Sequence, residues 1–391
     1  MKQLVLTIMI TTQLFSFEFD FSLPPVLEEV FEPSVLGEKV QPAAKEKSVE
    51  KKEIKEDEGE DVTTIYVGHR SEQTFSPDIE FSTYPKIALL VPSKVIGKFA
   101  NSMSDSLLSY LIFKDSKFQF ELFDSVDESE ENIVRTLREV RHKGYQLVIA
   151  AVTQKGARAI VKYEQAMQVY IPTINKKEIN LQSDNISFGG IDYEEQIDRL
   201  LTHSGERVAI FGDTSALSKR LENYVDNASF SEISYRKTIK NVKANLTPFI
   251  KKNHALKDAS IFLNMPIVKT SLLASQLNVN DAAHKNILLT QISYNPLLFT
   301  LTQYQDREVM FIANSIGRTD FRLKDINLIL GINLDFAWVN YSTLIGIDYL
   351  VNNFIDSSER KMFSEKMVNN QIRYNIEILK PSSSRFERIK H

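Results

Sequence analysis

The chain has 391 residues, a formal net charge of −4, six histidines and no cysteine. The absence of cysteine excludes disulfides, thiol catalysis, cysteine-ligated zinc and a lipid anchor on an N-terminal cysteine. Because neither sign of charge dominates, bulk electrostatics do not favour nucleic acid as a partner.

The first residues have the layout of a secretory signal peptide. Met1 and Lys2 precede an uncharged, mostly apolar run from 3 to 17, in which Ser16 is a small residue suited to signal peptidase. The run is shorter than the ~20 apolar residues that a membrane-spanning helix needs. We therefore expect residues 1–16 to be a signal peptide and the protein to be periplasmic. Retention of this segment as an uncleaved anchor is the alternative.

Residues 17–83 are predicted to form a disordered, charged linker. Between Ala44 and Asp61, 13 of 18 residues are charged, so the segment buries too little apolar surface to offset the entropy of ordering. The upstream prolines that favour an extended chain are Pro24, Pro25, Pro33 and Pro42. Thr63 to Val67 is a short alternating stretch that is expected to add an edge strand.

From Tyr84 onward the pattern alternates between strands and helices. The first strand, 86–91, is an apolar run that ends in Pro92-Ser93, and the helix before Gly144 is capped by Asp127 or Ser129. The first set continues with helix 99–113, strands 118–123, 145–152 and 169–174, and helix 154–165. The second set comprises helices 193–203, 215–226, 246–256 and 270–277, and strands 207–211, 231–239, 260–263 and 286–292. A less regular tail follows, with strand 309–313, helix 336–354 and strand 372–379.

This alternation predicts an α/β fold of two Rossmann-like lobes with mostly parallel sheets, since parallel βαβ units stack helices on both faces of a sheet. Roughly 300 folded residues also fit two domains. Lobe 1 is expected to span 84–190, with 298–355 returning to it. Lobe 2 is expected to span 191–297, with 366–380 returning to it. Gly189-Gly190, at the junction, is interpreted as a hinge.

The strand and turn patterns resemble the type I periplasmic binding protein fold. The residues that carry the resemblance are the segments 87–92, 120–124 and 144–150 in the first lobe and 207–213, 261–264 and 287–293 in the second. Within that fold the chain is most similar to the ligand-binding-like domain of the penicillin-binding-protein activator family (LppC/LpoA type). That family is typically a lipoprotein with a helical-repeat domain in front. This chain has no cysteine and only the charged linker there, so a lipid anchor is not carried over.

Polar residues at the predicted strand ends are the candidates for a ligand cleft, because ligands of open α/β sheets bind beyond the carboxyl ends of the strands. Hydroxyl and amide groups at helix N-termini suit a carboxylate or a sugar. The candidates are Ser93, Thr153, Gln154, Asn175, Asp213, Thr214, Ser215, Asn264, Gln291, Ser293 and Tyr294. An amino-acid pocket would need an aromatic wall and a charge for the amine, which Tyr294 and Asp213 could supply. The alternative is that Thr153, Asp213 and Thr214 are ordinary N-caps.

No pattern in the sequence indicates an enzyme, a cofactor or a metal site. Gly189-Gly190 lacks the further glycine of a dinucleotide-binding fingerprint, the histidines have no metal-ligand spacing, and no nucleophile elbow is found.

Two functions therefore compete. The first is a non-enzymatic interaction or regulatory module for cell-envelope machinery, such as that of peptidoglycan synthesis, with an envelope protein as partner. The second is a receptor for an amino acid, peptide or other small polar ligand. The long linker favours the first, because a freely diffusing receptor has no use for it. The tail from Arg360 to Phe386 is the expected contact patch, unless its inner residues complete a sheet.

Overall fold

The computed structural model describes residues 65–67, 85–97, 99–115, 118–179, 181, 183–240, 245–355 and 361–389. The predicted signal peptide and all of the predicted linker except residues 65–67 lie outside the described residues. The predicted edge strand is confirmed, because Ile65–Val67 pairs antiparallel with Phe118–Phe120. In the described part of the chain, no helix combines the length and apolar character needed to cross a membrane.

The first sheet has eight strands in the order β1-β3-β2-β4-β5-β6-β13-β12. They are β1 (Ile65–Val67), β2 (Lys86–Val91), β3 (Phe118–Asp124), β4 (Leu147–Ala150), β5 (Gln168–Ile171), β6 (Ile186–Phe188), β12 (Lys366–Val368) and β13 (Gln371–Arg373). The six inner strands are parallel, and the two edge strands are antiparallel to their neighbours. The continuous apolar sequences of β2 and β4 are explained by helices on both faces of this sheet.

The second sheet has seven strands in the order β15-β14-β11-β10-β9-β7-β8, of which β11 to β8 are parallel. They are β7 (Arg207–Gly212), β8 (Glu232–Thr238), β9 (Ser260–Asn264), β10 (Asn286–Leu289), β11 (Met310–Asn314), β14 (Glu377–Pro381) and β15 (Phe386–Arg388). The predicted fold, two Rossmann-like lobes with mostly parallel sheets, is confirmed by this topology.

Twelve α-helices of the described residues surround the sheets. They are α1 (Ser93–Ile96), α2 (Phe99–Lys114), α3 (Glu130–His142), α4 (Gln154–Tyr163), α5 (Tyr193–Leu201), α6 (Ala216–Ala228), α7 (Thr247–Ile250), α8 (Ile267–Val279), α9 (Leu297–Leu301), α10 (Tyr304–Arg307), α11 (Phe321–Ile329) and α12 (Trp338–Phe354). Helices α2 and α12 pack on one face of the first sheet and α3 and α4 on the other. In the second sheet α5 and α6 oppose α8. The largest apolar cluster includes residues of both lobes, so the lobes share a core.

Two expected assignments need correction. The segment 298–355 was expected to return to lobe 1; its second half does, because α11 and α12 pack against α2, but Met310–Asn314 pairs with β10 in the second sheet. The segment 366–380 was expected to return to lobe 2, but β12 and β13 extend the first sheet and only β14 joins the second. The predicted strand 372–379 is thus two strands in different sheets. A single sequence cannot reveal this, because both halves are short and their partner strands are distant in the chain.

The predicted helix 246–256 is also wrong, because the segment folds as the short α7 followed by a 3₁₀ turn at His254–Leu256. Lys252, between them, has a φ of 58°, which a continuous helix does not allow.

Glycines at the lobe junction allow close packing against α12. A side chain at Gly189 would collide with Tyr170 and Ser342, and one at Gly346 in α12 would collide with the Tyr170 ring. A side chain at Gly190 would meet the backbone of Ile174 and Asn175. Glycine is therefore required here because the backbone of one element lies against the next.

Candidate functional site

Beyond the end of β4 in the first lobe, the carboxylate of Glu128 lies at the start of helix α4. Thr153 caps the helix, as the N-cap interpretation predicted. The buried Glu128 side chain accepts hydrogen bonds from the Thr153 amide at 2.5 Å, the Gly156 amide at 3.2 Å and the Thr153 hydroxyl. A carboxylate is stable there because the helix N-terminus carries partial positive charge and free N–H groups. The Glu128 carboxylate therefore occupies the position at the start of α4 that would suit the carboxylate of a ligand.

Gln154 and Asn175 support the 3₁₀ turn at Lys176–Glu178. The Gln154 amide donates to the backbone oxygen of Glu178 at 2.7 Å. The buried Asn175 side chain accepts from the Lys177 amide at 3.0 Å and donates to the Gly190 oxygen at 3.1 Å. These two residues therefore hold one wall of the region between the lobes, and Asn175 does not present a free amide to it.

At the end of β7 in the second lobe, the buried Asp213 carboxylate is paired with a buried lysine. One oxygen accepts from the Lys269 ammonium at 2.8 Å. The other accepts from the Ser215 amide at 3.1 Å and the Ser215 hydroxyl at 2.6 Å. Ser215 in turn caps α6 by accepting from the Ser218 amide at 3.1 Å. Asp213 is therefore engaged within the chain and is not available to a ligand amine.

Asn264 and Gln291 lie deeper at the same edge of the second sheet. Asn264 is fully buried beside Gly212, and within the described part of the chain neither its Oδ1 nor its Nδ2 has a hydrogen-bond partner. The Gln291 side-chain oxygen accepts from the Ser315 amide at 2.6 Å, and the Gln291 backbone N–H donates to the Gln196 side-chain oxygen at 3.0 Å. The Gln291 Nε2 has no partner among the described residues. These buried polar groups cluster with Thr290, whose hydroxyl is also unpartnered. Such a cluster fits ordered water.

The remaining predicted residues do not join one site. Ser93 is exposed, and its amide donates to Asp124 at 3.0 Å. Thr214 is exposed, and Ser293 is buried 3.4 Å from the Thr270 hydroxyl. Tyr294 packs against the rings of Phe336 and Phe386, and burial raises its pKa to about 12. The proposed aromatic wall therefore belongs to the second-lobe core.

Between the lobes lies a cavity of about 730 Å³, which we call the inter-lobe cleft. Only Thr153 and Gln154 among the predicted residues line it. The other lining residues are Lys155, Arg158, Ile174, Lys177, Glu178, Ala216, Lys219, Arg220, Asn223 and Tyr224. Among the described residues, five cations and one carboxylate thus line the cleft. Polar residues at strand ends did not predict this feature. The sequence did carry a signal, because lysine and arginine occur near the starts of α4 and α6, where the helix dipole disfavours them.

Some of these cations are already paired. Arg220 of α6 forms an ion pair with Glu178 of the first lobe, so this pair joins the two walls of the cleft. Lys177 pairs with Asp192 at 2.9 Å and Glu194 at 2.8 Å. Burial raises the pKa of the nearby Tyr224, and the Glu178 charge raises it further. The cleft is therefore basic and partly closed by its own ion pairs.

Comparison with known proteins adds the fold class. The sequence matches no family model, and no curated protein is significantly similar to it. A branched-chain amino acid ABC transporter protein from Rhodospirillum rubrum superposes with a TM-score of 0.61 at 12% identity, covering 78% of this chain and 100% of its own. The substrate-binding protein LivJ from Streptococcus pneumoniae, in complex with isoleucine, gives 0.55 at 10% identity, covering 79% of this chain and 100% of its own.

LpoA from Haemophilus influenzae gives a TM-score of 0.54 at 9% identity over 78% of this chain and 58% of its own. At these identities the likeness shows the fold alone. The chain has the type I periplasmic binding protein fold, as the sequence patterns predicted. Both solute-binding proteins and LpoA share it, so the fold fits both candidate functions and does not choose between them.

Proposed function

We propose that this chain is an exported, non-enzymatic protein whose binding-protein fold serves as an interaction module for cell-envelope machinery, with peptidoglycan synthesis as the leading candidate. The observation that carries this proposal is an exposed apolar surface on helix α11. Its members, Phe321, Leu328, Ile329 and Leu330, are called the α11 ridge. Phe321 is 70% exposed, Leu328 61% and Ile329 84%.

The α11 ridge is held on a rigid base. On the opposite side of the helix, Leu323 and Asn327 are buried. The Asn327 side chain donates to the Ser109 hydroxyl of α2 at 2.6 Å and accepts from the Ser106 hydroxyl at 3.2 Å. Large apolar side chains exposed together at the end of a helix, as at 328–330, favour a protein-binding surface. This arrangement supports a protein partner.

In the contact patch predicted at 360–386, three aromatic residues are engaged within the chain, whereas Arg373 and Arg385 are exposed. Phe363 is buried and packs edge-on against Tyr341, and the Tyr374 hydroxyl donates to the Gly189 backbone oxygen. Phe386 packs against Tyr294 and Phe299. Because these three aromatic residues pack within the chain, we propose the interface at the α11 ridge instead.

A receptor for a small polar ligand is the second candidate, and the inter-lobe cleft favours it, since 730 Å³ lies within the usual range for small-molecule sites. Against an amino acid, the carboxylate position at α4 is filled by Glu128 and the acid at β7 is neutralised by Lys269. This internal pairing supports the interaction module over the amino-acid receptor.

Photo-crosslinking in cells tests the proposal. A photoreactive amino acid replaces Leu328 in one strain and Phe230, an exposed phenylalanine outside the α11 ridge, in the control strain. We expect position 328 to capture one envelope protein, such as a peptidoglycan synthase, and position 230 to capture none. The substitution of Leu328→Ser with Ile329→Ser should abolish binding of the identified partner to the purified protein. Capture of only an inner-membrane transporter, or unchanged binding by the double variant, contradicts the proposal.

A further inference from the structure

The charge of the inter-lobe cleft is opposite in sign to that of the whole chain. The protein has a formal net charge of −4, yet five cations and one carboxylate line this cavity. The first lobe contributes Lys155 and Arg158 from α4 and Lys177 from the adjoining turn. The second lobe contributes Lys219 and Arg220 from α6. Positive charge is therefore concentrated on both walls of one cavity.

This placement has an electrostatic cost. Lys155 and Arg158 lie in the first half of α4, and Lys219 and Arg220 lie in the first half of α6, near helix ends that already carry partial positive charge. Like charges facing each other across a cavity add to that cost. A bound anion would relieve both effects, because it would interact favourably with the side chains and with the helix ends.

Three of the cations have no ion-pair partner among the residues that the structure describes. Lys155, Arg158 and Lys219 are exposed to the cleft, whereas Lys177 and Arg220 are paired with carboxylates. The buried Nε donor of Arg220 has no partner among these described residues. The buried hydroxyl of Tyr193, within electrostatic reach of Arg220, likewise has no hydrogen-bond partner among them. Donors and positive charge thus exceed acceptors around this cavity.

We propose that the inter-lobe cleft binds a small oligoanion, a molecule that carries at least two phosphate or carboxylate groups. One anionic group pairs with Lys155 and Arg158 on the first-lobe wall, and another pairs with Lys219 on the second-lobe wall. A ligand with a single negative group reaches only one wall, so it gains only part of this attraction. The inference goes beyond the protein-interaction role and stands without it.

Isothermal titration of the purified full chain with tripolyphosphate and, separately, with citrate tests the proposal. We expect saturable binding of one molecule per chain by at least one of them, and much weaker binding of acetate. Binding of tripolyphosphate alone would identify phosphates as the ligand class, and binding of citrate alone would identify carboxylates. Absence of saturable binding by both probes overturns the proposal.

A matched pair of variants locates the site. Arg158→Gln with Lys219→Gln removes one arginine and one lysine from the cleft, and should weaken binding at least about tenfold, since each charge-assisted contact is among the stronger hydrogen bonds. Arg138→Gln with Lys366→Gln removes the same charges from exposed positions outside the cleft and should leave affinity within about twofold. Equal weakening by both variants would mean non-specific attraction and would overturn the proposal. The α11 ridge is untouched, so failure here leaves the crosslinking result unaffected.

Discussion

Each lobe holds a buried carboxylate near a junction between a strand and the following helix, but the two carboxylates are stabilised in different ways. In the first lobe, Glu128 accepts hydrogen bonds from the start of α4, and no cation pairs with it among the described residues. In the second lobe, Asp213 pairs with the buried Lys269 and accepts from Ser215. The difference indicates that the first site depends on backbone N–H groups and the helix dipole, whereas the second depends on a partner whose loss would leave an unpaired buried charge.

The largest expected effect comes from breaking the second-lobe pair. Lys269→Met keeps the length of the side chain but leaves Asp213 charged, buried and without its cation. We expect the free energy of unfolding to fall by about 3–5 kcal/mol, as for other buried ion pairs that lose one partner. Urea unfolding followed by circular dichroism measures the change.

The double variant Lys269→Met with Asp213→Asn supplies the control. Because it removes the charge together with its partner and keeps an oxygen to accept from Ser215, it should recover a large part of the loss. A double variant as unstable as the single one would show that packing of the lysine chain, and not the unpaired charge, determines the effect.

A smaller loss is expected when Glu128 is removed from the first lobe. Glu128→Ala leaves the Thr153 and Gly156 amides without an acceptor, which should cost roughly 1–3 kcal/mol. Glu128→Gln, which keeps an acceptor oxygen, should lose less. Added acetate should raise the unfolding temperature of Glu128→Ala more than that of the native chain, because it can take the place of the carboxylate. Equal effects of acetate on both proteins would contradict a role for the helix N-terminus as an anion site.

The ion pair across the cleft should affect motion more than stability. Arg220→Gln removes the partner of Glu178, and since Arg220 is partly exposed we expect a stability change of no more than about 1 kcal/mol. Hydrogen exchange should become faster at Lys176–Glu178 and in the first turn of α6. Arg236→Gln, which breaks ion pairs with Glu222 and Asp226 inside the second lobe, is the control. Unchanged exchange at 176–178 would mean that the pair does not hold the walls together.

The smallest effect concerns pH. Burial lowers the pKa of His284, whose Nδ1 lies 2.7 Å from the Ala282 oxygen. A histidine with a lowered folded-state pKa contributes stability above its unfolded pKa of about 6.5, and this contribution is lost as the pH falls through the lower folded value. The unfolding temperature should therefore decrease below pH 6.5 less steeply in His284→Gln than in the native chain. Parallel curves for the two proteins would exclude this contribution.

The sequence predicted the fold well because local patterns decide it. The fully apolar strands at 87–91 and 147–150 and the strongly amphipathic α3 each indicate their burial directly. The end of the chain was harder to predict, because β13 and β14 are separated by only three residues yet pair in different sheets. That choice depends on distant strands, which a single sequence does not reveal.

The site was predicted less completely. Thr153 and Gln154 do line the cleft, because they follow a central strand. Asn264 is the last residue of β9, at a strand end as predicted, but it is fully buried. The burial of a residue at the end of a strand depends on how the lobes pack, which the sequence does not show. The cations of the cleft lie mostly on α4 and α6, which are distant in sequence and lie close together only in the folded chain. The role of Glu128 was not predicted, because an acidic residue just before α3 is expected to cap α3. The Glu128 carboxylate instead accepts hydrogen bonds from the start of α4.

The central claim is that the two carboxylates Glu128 and Asp213 are engaged within the chain, so we expect no α-amino acid to bind the cleft. Thermal unfolding of the purified full chain with increasing isoleucine tests it most directly, since a ligand that binds only the folded state raises the unfolding temperature by mass action. We expect no saturable shift up to millimolar isoleucine. A saturable rise that is lost in Thr153→Ala would show that these groups serve a ligand, and would contradict the claim.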